Sequence, residues 1–222
     1  MARILITGSA RGIGLELVRH YLAAGHEVIA VCRDPGPALS QLPCERIDGV
    51  ELSQGAGIDR VREAVSDRPL DILIHCAGIL RRDVLGQLRE QIDQLRAQFE
   101  VNTLAPLLLT EALLPVMQTG SKVAMITSRM GSIGDNSSGG YYGYRMSKAA
   151  LNCAGKSLAI NCREREIAVA LLHPGFVRTQ MTGGAGDVDP AAAAAQLVER
   201  INALTIATSG SFWHANGSEL PW

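Results

Sequence analysis

The chain begins with a short apolar run, Arg3-Ile4-Leu5-Ile6-Thr7, that breaks at Gly8. Glycines at 8, 12 and 14 then stand directly ahead of Leu15, Leu17, Val18, Tyr21 and Leu22. An apolar run, a glycine turn and a helical apolar period together spell strand, turn, helix. Glycine lets the backbone turn tightly and come close to a ligand, and the unpaired N–H groups at a helix start favour an anion. The expected ligand of this turn is the pyrophosphate of a dinucleotide.

The remaining chain repeats the alternation. Strands are expected over 27–32, 45–52, 70–75, 122–127, 167–172 and 211–214. Helices are expected over 58–65, 87–117, from the tyrosines at 141–144 through 162, and 189–204. With 222 residues and 47% hydrophobic composition, this predicts one α/β domain over 1–222. Its fold class is a single-domain doubly wound parallel sheet, Rossmann-like, with helices on both faces.

Composition narrows the partners. A net charge of -1 gives no general attraction to nucleic acid or to an anionic membrane. The five cysteines are scattered without a Cys-x-x-Cys pair, and the histidines lack metal-ligand spacing, so neither a disulfide framework nor a metal site is expected. The N-terminal apolar run is too short for a secretion signal, and no stretch of about 18 uncharged apolar residues follows. The expected location is cytoplasmic, and the expected partner is a small molecule, with a homo-oligomer as an alternative to the monomer.

Four positions carry candidate chemistry. Tyr144 and Lys148 are four apart on a helix, and therefore on one face. An ammonium beside a phenol is expected to pull the phenol below its ordinary value of about 10, making a useful acid near neutrality. Ser128 stands at the end of the fifth strand, where open parallel sheets place their chemistry. Pro106 has no N–H for the carbonyl of residue 102, so the helix is expected to kink there and release the main-chain oxygen of Asn102. His75, before Cys76-Ala77-Gly78, reads as a packed, hydrogen-bonded histidine. Arg33, at the end of the second strand, and Arg11, in the glycine turn, suit a 2′-phosphate, so NADP(H) is expected over NAD(H). Asp34 stands against this, since a carboxylate reaching the ribose would bind its hydroxyls and repel a 2′-phosphate; its other reading is a turn residue ahead of Pro35.

In this order the motifs resemble the short-chain dehydrogenase/reductase family. The likeness rests on Thr7 to Gly14, Asn102, Ser128, Tyr144 to Lys148, and Pro174-Gly175. The ending Gly217-Ser218-Glu219-Leu220-Pro221-Trp222 is most similar to the small carbonyl-reductase branch that includes C-factor and sniffer. The resemblance implies hydride transfer between nicotinamide and a carbonyl or secondary alcohol. Tyr144 would be the acid/base, Lys148 its modulator and ribose ligand, Ser128 the substrate-oxygen partner, and Asn102 the holder of a relay water.

By the same resemblance the cofactor would lie against Thr7, Gly8, Ser9, Arg11, Gly12, Ile13, Gly14, Arg33, Glu51, Leu52, Cys76, Ala77, Gly78, Tyr144, Lys148, Pro174, Gly175, Val177 and Thr179. His75-Cys76 departs from the family's usual Asn-Asn. The alternatives are an NAD-preferring alcohol dehydrogenase and a non-catalytic cofactor-binding signalling protein. Arg129, Met130, Tyr142, His173, Phe176 and Met181 are the expected substrate neighbours.

Overall fold

Strand residues alternate between two apolar cores, so each strand is greasy on both faces instead of striped. Leu5, Ile29, Leu73, Val123, Met125, Val169 and Leu171 enter one core, whereas Ile4, Ile6, Val28, Ala30, Ile72, Ile74, Ala124 and Ala170 enter the other. Burial on both faces requires helices on both sides of a parallel sheet. The computed structural model describes residues 1–222 and has that architecture.

Seven strands form the sheet: β1 (Arg3–Thr7), β2 (Glu27–Val31), β3 (Glu45–Ile47), β4 (Leu70–His75), β5 (Met117–Ile126), β6 (Ala168–His173) and β7 (Phe212–His214). Their spatial order is β3-β2-β1-β4-β5-β6-β7, and every adjacent pair is parallel. The first core takes side chains from α3 (Gly55–Val65), α5 (Ala105–Leu113) and α6 (Tyr142–Asn161). The second takes them from α1 (Gly12–Ala23), α2 (Gly36–Ser40) and α7 (Pro190–Ala203). Each fully buried Leu or Ile in these layers contributes roughly 1.5–3 kcal/mol over its exposed state.

Strand order reverses between β1 and β4, where Thr7 pairs with His75. A crevice at the carboxyl ends of such neighbouring strands is where doubly wound sheets bind nucleotides.

Several expected boundaries move. The third strand stops at Ile47 because Gly49 takes a left-handed φ of 70° and turns the chain. The fifth strand starts five residues before the expected 122, at Met117, which joins Leu70 across a register irregularity. The expected helix over 87–117 begins at Ile92 as α4 (Ile92–Phe99), passes through a π-helical turn at Glu100–Leu104, and continues as α5. In that turn the N–H of Ala105 reaches back five residues to the carbonyl of Glu100. The widening sits directly before Pro106, where the missing N–H breaks the α-helical ladder.

The whole run Ile92–Val116 is long and apolar enough to span a bilayer by length and composition. Its buried face nevertheless carries Gln98, Asn102, Thr103 and Thr110, each hydrogen-bonded within the protein. That is the pattern of a core helix.

Candidate active site

Helix α6 buries Gly143, Tyr144, Ser147, Lys148, Leu151, Asn152, Gly155, Leu158 and Ala159, a stripe at three- and four-residue spacing. Its lower part is apolar and lies against the sheet. Its upper part is polar and reaches the carboxyl ends of β4 and β5.

Lys148 is only 4% exposed, and its Nζ donates to the main-chain oxygen of Ile126 at 2.8 Å. An ammonium has three protons, so two remain for other partners. Nζ lies 5.9 Å from the centre of the Tyr144 ring. Ser128, the residue after Thr127 at the end of β5, accepts from the N–H of Met130 at 3.1 Å and caps a short 3₁₀ turn. Its own O–H proton is still free to be donated. Asn152, one turn beyond Lys148, accepts from the Thr127 hydroxyl at 2.7 Å and holds the end of β5 against α6.

The electrostatics correct one expectation. Burial pushes the Tyr144 phenol up to about 12, while the Ser128 hydroxyl favours the phenolate and acts the other way. Burial also pulls Lys148 down to about 8. In this structure burial is the larger effect on both groups: it favours the proton-bearing form of Tyr144 and brings Lys148 nearer neutrality.

Asn102 is fully buried beside this pair. Its side chain accepts from the N–H of Ile79 at 2.8 Å and donates to Ile79 O at 2.9 Å and to Ser147 Oγ at 3.0 Å. Thr103 adds a bond from its hydroxyl to Ser147 O at 2.7 Å. The π turn, the segment after β4 and α6 are therefore joined at one knot. Gly78 faces it: a Cβ there would stand 3.2 Å from Asn102 Oδ1 and 3.8 Å from Lys148 Nζ.

The glycine turn and the end of β4 meet as the switch point demands. Thr7 Oγ1 accepts from the N–H groups of Cys76 and Ala77 at 3.1 and 3.2 Å. Gly8 has φ 67°, and a Cβ on it would lie 2.6 Å from Ala77 Cα; one on Gly14 would lie 2.2 Å from Gly8 O. These are backbone-on-backbone packings that any side chain would force apart. Ser9 spends its hydroxyl on Val31 O at 3.1 Å, so it shapes the turn from inside. Arg11 reaches across to Gln180 Oε1 at 2.7 Å, and the Cβ position of Gly12 is 3.4 Å from Thr179 Cγ2. The turn containing Ile13 thus faces the segment after Pro174-Gly175, where Gly175 has φ 92° and buried Val177 bridges to Val188.

Arg33 and Glu51 come together at 3.5 Å, with the Arg33 side chain 64% exposed. Leu52 beside them is buried. Asp34 accepts from the N–H of Gly36 at 3.0 Å, the geometry of its turn reading. His75 is buried and bonded to Thr110 Oγ1 at 2.8 Å; Thr110 spends its proton on Pro106 O, so His75 Nε2 is the donor. Burial drives His75 down to about 3, and it stays a neutral packing group. No group of three or more His, Cys, Asp and Glu is placed to hold a metal ion.

Among the expected substrate neighbours, Phe176 and Met181 are exposed, and Arg129 is paired with Asp135. His173 lies edge-on to His214 at 5.0 Å and is pulled down to about 3 by burial first, then by His214 and Arg129. Sequence reading missed Asp83, Gln98, Ser147 and Asn152. For the last two the signal was present, since Tyr144, Ser147, Lys148 and Asn152 follow one helical stripe.

Fold and site together define a doubly wound nucleotide-binding domain with a buried phenol at the sheet's carboxyl edge. Residues 2–189 match the short chain dehydrogenase family, and the chain belongs to it, as an oxidoreductase. It is 37% identical to 1-hydroxy-2-glutathionyl-2-methyl-3-butene dehydrogenase of Rhodococcus sp. (strain AD45), with 100% of each chain covered. The carbonyl reductase Sniffer of D. melanogaster superposes with a TM-score of 0.91 at 30% identity, again over 100% of both chains. The NADPH-bound carbonyl reductase from chicken fatty liver gives 0.91 and 30%, covering 100% of this chain and 94% of the other.

Proposed function

We propose that the protein is an NADP(H)-dependent carbonyl reductase in which Tyr144 is the acid/base. The observation that carries this is the buried Tyr144, with Lys148 Nζ 5.9 Å from its ring centre and the buried Ser128 hydroxyl at the end of the neighbouring strand. The cofactor fits the chain's own residues: Gly8 and Gly14 let the turn's backbone pack directly on Ala77 and on itself, a shape that lets its N–H groups approach a phosphate, and Lys148 has donors to spare. Thr7 to Gly14, Cys76 to Gly78, and Pro174 to Thr179 would hold it, with Arg33 at a 2′-phosphate. When bound, it supplies the hydride.

The residues do the rest. Ser128 donates to the substrate oxygen and polarises the carbonyl. Tyr144 Oη gives its proton to that oxygen as negative charge develops on it, so C=O becomes CH–OH. The Lys148 ammonium then stabilises the phenolate until solvent returns a proton. Asn102 serves this return by holding a water at its main-chain oxygen within the π turn. The supporting geometry is the knot of Asn102, Ile79 and Ser147, which fixes that turn beside α6.

The same groups run the reverse reaction, in which the Tyr144 phenolate, stabilised by the Lys148 ammonium, takes the proton of the alcohol. Oxidation of an alcohol is the second reading, favoured by the Rhodococcus relative, whose name describes a dehydrogenase of a hydroxyl-bearing glutathione conjugate. Tyr144→Phe tests both directions. Turnover of a carbonyl and alcohol panel should fall by about 10³-fold or more, with NADPH affinity within severalfold of the parent. Retained turnover removes Tyr144 from the mechanism.

A further inference from the structure

The first turn of α6 is capped from outside its own neighbourhood. Its N-cap residue, Tyr141, lies in the left-handed region at φ 50° and ψ 44°, and its side chain caps nothing. The N–H groups of Tyr142 and Gly143 are the first of the orphan donors that every helix start presents. Both donate to one carboxylate: Tyr142 to Asp83 Oδ1 at 2.7 Å and Gly143 to Asp83 Oδ2 at 2.8 Å, over sequence separations of 59 and 60. Asp83 is 5% exposed.

Asp83 ends a strap that leaves β4 and is tied at every second residue. Ile79 N–H bonds to Asn102 Oδ1 at 2.8 Å, and Arg81 N–H to Gln98 Oε1 at 2.9 Å. The alternation is that of an extended segment, and it links the end of β4 to the π turn, to α4 and to α6 in succession. Gly143 lets the last link close: a Cβ there would sit 2.5 Å from Gln98 Nε2, 3.1 Å from Leu95 Cγ and 3.2 Å from Asp83 Oδ2. Tyr144 is the next residue, so its phenol inherits any error in that turn.

Resting on the proposed role of Tyr144, we infer that Asp83 is a positioning residue for the reaction. Its carboxylate sets the start of α6, and so the place of the Tyr144 phenol beside Ser128, without touching substrate or cofactor.

The test compares the full-length protein with Asp83→Ala and Asp83→Asn. It measures NADPH affinity and site number by fluorescence titration, kcat per bound NADPH, and amide exchange at residues 142–143. Asp83→Ala should lower kcat per bound NADPH by about 10- to 100-fold, with NADPH affinity within roughly threefold, because a small misplacement of an acid costs that much rate. Asp83→Asn keeps one acceptor, so it should recover part of the loss. If Asp83→Ala does not fold, Asp83→Asn alone should still show a measurable fall. Unchanged kcat per bound NADPH in a folded variant, whatever the melting temperature, overturns the inference. If the parent turns over no carbonyl or alcohol, the proposed function fails by itself, and the exchange arm decides for Asp83. Faster exchange at 142–143 with unchanged exchange in β4 supports it; parental exchange sinks it.

Discussion

The Nζ of Lys148 lies 5.9 Å from the centre of the Tyr144 ring and gives its one protein hydrogen bond to the carbonyl of Ile126 at 2.8 Å. The lysine is thus anchored to the last residue of β5, two residues before Ser128, while the tyrosine stands one helical turn before it. Strand and helix together locate the acid.

This arrangement assigns the titration near neutrality to the lysine. Lys148 is held at about 8 by burial, below its ordinary 10.5, while Tyr144 is held at about 12. The rate constant kcat/KM for carbonyl reduction should therefore fall as pH rises through about 8. Lys148→Arg stays charged and should lose that alkaline limb; an unmoved limb would exclude Lys148 as its source.

Stability carries the matching sign. Between about 8 and 10.5 the unfolded chain binds more protons at this position than the folded one, so the Lys148 contribution to unfolding free energy rises with pH across that window. Tyr144 acts oppositely, from its ordinary 10.0 up to about 12. Denaturant titrations of Lys148→Met against the parent over the lower window should show the rise only in the parent.

Cofactor choice rests on Arg33, whose side chain is exposed and 3.5 Å from Glu51. Arg33→Ala should weaken NADPH binding by about 10- to 100-fold, the worth of a charge-assisted phosphate contact, and leave NADH within about threefold. Glu51→Gln releases the guanidinium and should shift preference further toward NADPH. Isothermal titration with both cofactors reads all four combinations, and an unchanged NADPH/NADH ratio in Arg33→Ala would end this role.

Gly131 is the contact between the turn after Ser128 and the catalytic helix. A Cβ there would meet Lys148 backbone C at 2.7 Å and O at 2.9 Å. Backbone cannot swing aside, so Gly131→Ala should cost about 1–3 kcal/mol and lower kcat by shifting Ser128 against Tyr144. The control is Gly55→Ala at the start of α3, which meets nothing within 4 Å and has no positive φ. It should be neutral in melting temperature, whereas Gly131→Ala should fall by roughly 2–4 °C per kcal/mol.

The sequence by itself determined the parallel sheet, the helices on both faces, the glycine turn, and the placing of Tyr144 and Lys148 on one helix stripe. Those follow from local period and turn chemistry, which need only a few neighbouring residues. His75 as a packed histidine was legible for the same reason.

Tertiary structure decided the rest. The π turn before Pro106, the Asn102–Ile79–Ser147 knot, the pairing of Arg33 with Glu51 and the capping of α6 by Asp83 each join residues distant in sequence or replace one helical geometry by another. The direction of the Tyr144 shift was decided there too. Spacing places an ammonium near a phenol, but only the surrounding fold says how much water both have lost, and here that loss is the larger effect.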